Sequence, residues 1–282
     1  MSQSIRHEET AMPAHWPVLE NLELDSSIVV IGNGPSLRGV DLTELKQCAT
    51  VGMNAAYRHW YRIGWFPTFY ACLDEVVVES HARQIIDLLE QERVQGAFLS
   101  GRFFELHPEF DNDERLLNLD TVSEHWFERR GGSRGLRYTW HPSFATCYPL
   151  AITTGAWATR WASFLGYEMA YLIGFDLSYS NNVNGSVGAG GIRRRMDLTP
   201  SSNPNYFFDD YQQMGDEFQV ANPNTTGTPL HQLAFEAVNH DFQIREIPTR
   251  VNAGQPDSGI ASLKIFPVRA LPQVRSRPGV EQ

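Results

Sequence analysis

Short apolar runs alternate with helix-patterned stretches along most of this 282-residue chain, and that alternation constrains the fold more than any other feature. The runs "SIVVIG" (27–32), "ATVGMN" (49–54), "TFYACLD" (68–74), "GAFLS" (96–100), "RLLNLD" (115–120), "MAYLIGFDLSY" (169–179) and "FQIREIP" (242–248) read as strands. Between them, "LTELKQC" (42–48) reads as a short helix. "VVVESHARQIIDLLEQE" (76–92) places Val77, Ile85, Leu88 and Leu89 at helical spacing. "TGAWATRWASFLGY" (154–167) reads as a helix ending at Gly166, a natural C-cap, and "PLHQLAFEAVNHD" (229–241) as another. Strands alternating with helices imply an α/β fold with a mainly parallel sheet covered on both faces, a Rossmann-like arrangement. Ligands of such sheets bind beyond the carboxyl ends of the strands.

No internal repeat or dividing linker interrupts the pattern. The expectation is one nucleotide-binding domain over residues 25–270, with a polar arm at 1–24 and a loose tail at 271–282. Residues 180–205, "SNNVNGSVGAGGIRRRMDLTPSSNPN", are rich in Gly, Ser and Asn and read as a mobile, lid-like loop. The net charge of −10 argues against a nucleic-acid partner or an anionic membrane surface. Cys48, Cys72 and Cys147 lie far apart without zinc-type spacing and read as reduced core thiols. The sequence has no apolar run long enough to span a membrane and no signal-peptide core, so a cytoplasmic protein is expected. The aromatic stretch "AYRHWYRIGWFPTFY" reads as core packing, with an exposed subset available for a subunit contact; an oligomer is left open.

The strand ends carry the chemistry. The first strand runs into Gly32-Asn33-Gly34-Pro35-Ser36, a turn with little side-chain bulk that would let phosphates approach backbone N–H groups; a tight βα turn is the plainer alternative. The second ends at Asn54 and the third at Asp74, an amide and a carboxylate suited to a base, a ribose or a metal, or equally to turns and helix caps. Thr154 and Gly155 open a helix toward the same crevice. Asp176 ends a later strand, and Tyr179 could donate to a departing phosphate. Asp209 and Asp210 sit among Tyr206, Phe207, Phe208 and Tyr211. The aromatics there could stack on a base or sugar and the carboxylates hold Mg²⁺ or act as a base; a loop returning to the core with solvated carboxylates is the alternative. His231, in the first turn of its helix, is a candidate base, while His59, His81, His125 and His141 show no partner. Arg193, Arg194 and Arg195 could close over phosphates or form a solvated basic turn.

"VVIGNGPSLRGVDLTEL", "VGMNAAYRHWYRIGWFPTFYACLD" and the 154–179 block together resemble a superfamily of 6-hydroxymethylpterin diphosphokinase-like proteins and motility-associated glycosyltransferases. Its motif order is similar to that of the bacterial CMP-sialic-acid-dependent sialyltransferases. The resemblance spans about residues 27–180 and, more weakly, "FFDDYQQ" and "PLHQLAFEAV". It implies that Gly32, Asn33, Gly34 and Ser36 contact nucleotide phosphates and that Asn54 and Asp74 contact the nucleotide or donor sugar. It further implies that Thr154 and Gly155 line the pocket, and that Tyr179 with Tyr206 or Tyr211 faces the leaving phosphate. The sialyltransferases place a His base just before the helix that starts here near Pro229; residues 222–228 contain none, so Asp209, Asp210 or His231 would have to serve. The expectation is a glycosyltransferase-like enzyme using a nucleotide-activated sugar donor, with a CMP-sugar as one candidate, on a small-molecule or glycan acceptor in surface polysaccharide, lipopolysaccharide or flagellin glycan synthesis. Mg²⁺ is compatible with that chemistry but not required by it. Two alternatives stand beside it: an ATP- and Mg²⁺-dependent pyrophosphokinase with Asp74, Asp176, Asp209 and Asp210 as ligands, and a non-catalytic nucleotide or sugar module.

Overall fold

A computed structural model describes residues 27–119, 153–179, 183–220, 230–244, 249–255 and 258–268. The expected arm and tail, residues 222–228, Cys147, His125 and His141 lie outside the described residues. In chain order the elements are β1 (Ser27–Ile31), β2 (Ala49–Met53), α1 (Tyr57–Ile63), β3 (Phe69–Cys72), α2 (Glu75–Glu90), β4 (Gly96–Leu99), α3 (Gly101–Leu106) and β5 (Leu116–Asn118). They continue with α4 (Thr154–Phe164), β6 (Met169–Ile173), β7 (Ser186–Gly190), β8 (Arg193–Met196), β9 (Glu217–Gln219), α5 (Leu230–Ile244) and β10 (Arg250–Asn252).

Seven strands form one sheet in the order β10-β6-β1-β2-β3-β4-β5, and every neighbouring pair is parallel. Both faces are covered because side chains alternate across the pleat. Ile28 and Val30 join Phe69 and Phe98 under Trp157 and Trp161 of α4 and Phe235 of α5. Val29 and Ile31 join Tyr70, Cys72 and Leu99 under Trp60 of α1 and Ile85, Leu88 and Leu89 of α2. This three-layer sandwich is the Rossmann-like α/β fold expected from the sequence. The tryptophans fill it: Trp60 and Trp157 are 0% exposed and Trp161 is 1% exposed. Each such burial is worth at least about 1.5–3 kcal/mol of transfer free energy. Gly52 in β2 lies so close to the Trp60 ring that a Cβ there would collide with it. Most of the aromatic stretch at 56–70 is core, as the sequence suggested; Tyr61, 41% exposed, is the exception.

Residues 42–47 form the expected short helix, a 3₁₀ helix, with the Asp41 carboxylate accepting the Thr43 N–H. Two local expectations are corrected. "FQI" is the end of α5, not a strand: Phe235, Val238 and Phe242 recur at helical spacing and all bury, which outweighs β-propensity, and the last strand is β10. The described part of the 180–205 segment is not structureless. β7 and β8 make a hairpin through Gly190 and Gly191, both at positive φ, and β9 pairs with β8 to complete a three-stranded antiparallel sheet. Arg193 ties this small sheet to α2 by contacting Glu79 at 3.0 Å and Glu217 at 2.5 Å. Arg194 bonds Ser186, and Arg195 pairs with Asp197 at 3.0 Å, so the three arginines are engaged with the protein itself.

Because all seven strands are parallel, their carboxyl ends share one edge. β1 to β5 step outward in one direction, and β6 returns to the opposite side of β1. The strand order therefore reverses at β1 and β6, and the crevice beyond the carboxyl ends of the strands at such a switch point is where α/β sheets bind ligands.

Candidate active site

A cavity of about 450 Å³ occupies that crevice. It is walled on one side by the ends of β1, β2, β3 and β6, on another by the N-terminal turns of α2 and α4, and on a third by β9 and the segment before it. Gly32, Asn33, Gly34, Asn54, Asp74, Thr154, Gly155 and Asp176 line it, together with Tyr179, Tyr206, Tyr211 and His231. The fold thus brings together twelve residues singled out in the sequence. Ser36 sits just behind the wall; Asp209 and Asp210 do not reach it.

The turn after β1 is held by hydrogen bonds to the end of β6 and the residues after it. The Gly32 N–H donates to Ile173 O at 2.7 Å and the Gly34 N–H to Gly174 O at 2.9 Å. The Ser36 N–H donates to Asp176 Oδ2 at 2.9 Å. These three amides are bonded within the protein, so their N–H groups are not free anion donors. A Cβ on Gly32 would collide with Gly174 O, and one on Gly34 with the Asp176 carboxylate. The glycines let two strand ends pass at backbone contact, which holds the switch point closed underneath the cavity.

The amides of Asn33 and Asn54 are better placed for recognition. Asn33 Nδ2 donates to Met53 O at 3.2 Å and to Tyr211 OH at 2.9 Å. A carbonyl can only accept, so the orientation of the amide is fixed and Oδ1 is left as an acceptor. That oxygen and Asn54 Oδ1 are buried without a partner among the described residues. Asn54 also holds φ at +52°, a conformation disfavoured for a residue with a Cβ. Buried acceptors without donors are uncommon in folded proteins and are the kind of feature that a bound molecule satisfies. Asp74 is engaged differently: its carboxylate caps α2 by accepting the Val76 and Val77 N–H groups at 2.9 and 3.2 Å, and burial pushes its pKa up. Thr153 caps α4, while Thr154 Oγ1 accepts the Leu73 N–H at 3.4 Å, joining α4 to the end of β3. Gly155 has no room for a side chain because the Phe175 ring fills that space.

Opposite these lies an aromatic cluster. Tyr206 and Tyr211 stack with ring centres 3.7 Å apart, and the Tyr179 and Tyr206 hydroxyls are 2.5 Å apart. Burial pushes the Tyr179 phenol up to about 12 and raises those of Tyr206 and Tyr211 well above the usual tyrosine range, so all three remain protonated donors at neutral pH. His231 stacks on Tyr179 with centroids 6.2 Å apart, and burial lowers its pKa, leaving a neutral imidazole at the cavity.

Asp209 and Asp210 point away from this cluster. Asp209, 47% exposed, pairs with Arg38 at 3.1 Å, and Asp210, 39% exposed, pairs with Arg62 at 2.8 Å. The Asn203 N–H, followed by Arg38, holds the Asp209 carboxyl below its usual range. The adjacent Phe207 and Phe208 are buried, and turning them into the core rotates the two carboxylates outward. The four carboxylates considered as Mg²⁺ ligands therefore do not converge, and no group of three His, Cys, Asp or Glu side chains is placed to hold a metal among the described residues.

The structure adds residues that the sequence left silent. Arg58 of α1 forms a two-pronged pair with Asp216, at 2.5 and 2.8 Å, and donates to Tyr211 O at 2.6 Å. His81 of α2 meets Tyr57 OH at 2.6 Å and lies 3.9 Å from Asp216. His81, Gln212, Asp216 and Glu217 all line the cavity. Helical phase was the one available signal: His81 falls on the buried face of α2 with Ile85 and Leu88.

No protein-family model matches the chain, and no curated protein does. Among solved structures, it is similar to the sialyltransferase CstII from Campylobacter jejuni in complex with a substrate analogue, CMP-3FNeuAc. The identity is 16%, coverage is 89% of this chain and 88% of that one, and the TM-score is 0.51. Monomeric CstII matches equally, at 16% identity, 89% and 88% coverage and a TM-score of 0.51. No helix among the described residues is long and apolar enough to cross a membrane. The chain thus shares the fold of the sialyltransferase CstII over 89% of its length.

Proposed function

We propose that this chain is a glycosyltransferase-like enzyme whose cavity takes a nucleotide-activated sugar. The observation that carries this reading is the pairing, across one switch-point cavity, of unpartnered amide acceptors with a protonated tyrosine cluster and a neutral imidazole. Asn33 and Asn54 accept hydrogen bonds from ribose hydroxyls or an exocyclic amine. The donor sugar then lies toward Tyr179 and Tyr206. His231 takes the proton of the acceptor hydroxyl as its oxygen bonds to the anomeric carbon. The bond from that carbon to the phosphate oxygen breaks with its electron pair, and the tyrosine hydroxyls donate to the departing oxygen. Asp209 and Asp210 are salt-bridged outside the cavity, so the base role passes to His231. Similarity in fold to CstII makes a CMP-linked sugar the first donor to try, and the motif resemblance points to a cytoplasmic role in surface glycan assembly.

Thermal shift with CMP, UMP, GDP and ATP, each with and without Mg²⁺, tests the reading. A ligand at 100 times its Kd adds about 2.7 kcal/mol to stability. Stabilisation by a pyrimidine nucleotide without metal is expected. Stabilisation by ATP with Mg²⁺ alone would replace sugar transfer by diphosphate transfer, and no shift with any nucleotide would refute both.

A further inference from the structure

Tyr211 stacks on Tyr206, yet its hydroxyl is engaged elsewhere. We propose that Tyr211 is a positioning residue: its phenol oxygen, shared by the side chain of Asn33 and the main chain beside Asn54, fixes the two amide acceptors that a nucleoside meets. This rests on the nucleotide-sugar reading of the same cavity. It separates Tyr211 from the leaving-phosphate role that the motif resemblance implied for Tyr206 or Tyr211.

The oxygen bridges the ends of two strands. Tyr211 OH accepts from Asn33 Nδ2, in the turn after β1, at 2.9 Å, and from the Ala55 N–H, just past β2, at 3.2 Å. Ala55 follows Asn54, whose φ of +52° persists only where the surroundings hold it. The main chain of the same two residues is pinned as well. The Phe207 N–H donates to Asn33 O at 3.1 Å, and Tyr70 OH donates to Asn54 O at 3.1 Å. Both hydrogens of Asn33 Nδ2 are thus used, one on Met53 O and one on Tyr211 OH, while Asn33 Oδ1 and Asn54 Oδ1 keep no partner among the described residues.

Tyr211 is itself held at both ends. Arg58 Nη1 donates to its carbonyl at 2.6 Å, and its buried ring packs against Tyr206 at 3.7 Å and Phe208 at 5.3 Å between centres. The other two phenols of the cluster are placed differently: the Tyr179 and Tyr206 hydroxyls meet each other. Tyr211 instead offers its oxygen to two nitrogen donors on the strand ends. Binding groups must be held within about 0.5 Å of the productive geometry, and supporting hydrogen bonds of this kind do so. Removing the oxygen strands two buried donors in the very turns that carry the acceptors, and those turns must shift to satisfy them.

The test is calorimetric titration of cytidine and of CMP into the wild type, Tyr211→Phe, Asn33→Ala and the double variant. Tyr211→Phe should weaken both ligands about tenfold and equally, because the lost oxygen acts on the nucleoside end. In the Asn33→Ala background the same change should cost less, about threefold, because part of its effect passes through Asn33. A loss confined to CMP would put Tyr211 on the phosphate and overturn the positioning role. So would unchanged binding of both ligands, or a tenfold loss that persists without Asn33. ¹⁵N NMR of asparagine-labelled wild type covers the case in which Tyr211→Phe does not fold. Both Asn33 Nδ2 hydrogens should exchange slowly with water before any ligand is added, and rapid exchange of either overturns the bridge. A wild type that binds CMP but not cytidine also overturns it, since the phosphate would then carry the affinity. Failure of the wild type to bind either ligand overturns the nucleotide reading, and the role of Tyr211 falls with it.

Discussion

Replacing Arg58 by methionine keeps the length of the side chain and removes the charge that holds Asp216. The pair is well shielded, with side chains 13% and 11% exposed, and Arg58 gives three hydrogen bonds, two to the carboxylate and one to Tyr211 O. Breaking a buried pair from one side leaves an uncompensated charge, at a cost of about 3–5 kcal/mol. Here the Gln213 N–H still solvates Asp216, which places the expected loss toward the lower end. At roughly 2 °C per kcal/mol for a chain of this size, a loss of about 3–4 kcal/mol should lower the melting temperature by about 6–8 °C. Asp216→Leu should destabilise comparably, by stranding Arg58. The double variant removes both charges, and its loss should be smaller than the sum of the single losses by about 2 kcal/mol or more. Calorimetry on the four proteins of this cycle measures that coupling. Additive losses, or single losses under about 1 kcal/mol, would show that the pair does not hold the cavity wall.

Gly34→Ala should lower stability by about 1–3 kcal/mol, because its Cβ meets the Asp176 carboxylate; an unchanged denaturation midpoint would contradict the close packing of the β1 and β6 ends. As the proposed base, His231 must be neutral, and burial lowers its pKa, so the transfer rate should climb with pH along a limb centred below about 6.5 and then level off. His231→Asn should cost about 10²-fold or more in kcat, and an unaltered pH profile in that variant would remove His231 from the mechanism. His81, lowered to about 4 in the folded state, gives the unfolded chain more protons between about pH 4 and 6.5. Stability should therefore decline as pH falls through that window, by about 3 kcal/mol in all, and His81→Gln should flatten the decline.

The core of this fold is written in short-range pattern. β1 to β6 and helices α2 and α4 could be placed because apolar side chains recur at the period of each element, and Gly166, at φ +85°, closes α4 as its sequence context suggested. The hairpin of β7 and β8 escaped notice because its strands, Ser-Val-Gly-Ala-Gly and Arg-Arg-Arg-Met, are poor in the apolar and β-branched residues that mark a strand. They are ordered by pairing with β9 and by ion pairs to α2. The site divides in the same way. Residues at strand ends converge wherever the sheet is parallel, so Asn33, Asn54 and Asp74 could be named together. The roles of the turn amides depended on β6, which arrives about 140 residues later and consumes them. Asp209 and Asp210 looked reactive beside their tyrosines, yet Arg38 and Arg62, distant in sequence, draw them outward. Arg58 and Asp216 are 158 residues apart, and no local pattern joins them.

The central claim is that a nucleotide occupies the switch-point cavity with its polar edge on Asn33 and Asn54. A crystal structure of the chain grown with CMP, at a concentration that raises its melting temperature, tests this most directly. The account predicts density between the ends of β1 and β2, with hydrogen bonds to Asn33 Oδ1 and Asn54 Oδ1 and the phosphate toward Tyr179 and Tyr206. Density for CMP anywhere else, or a cavity left empty under those conditions, would contradict it.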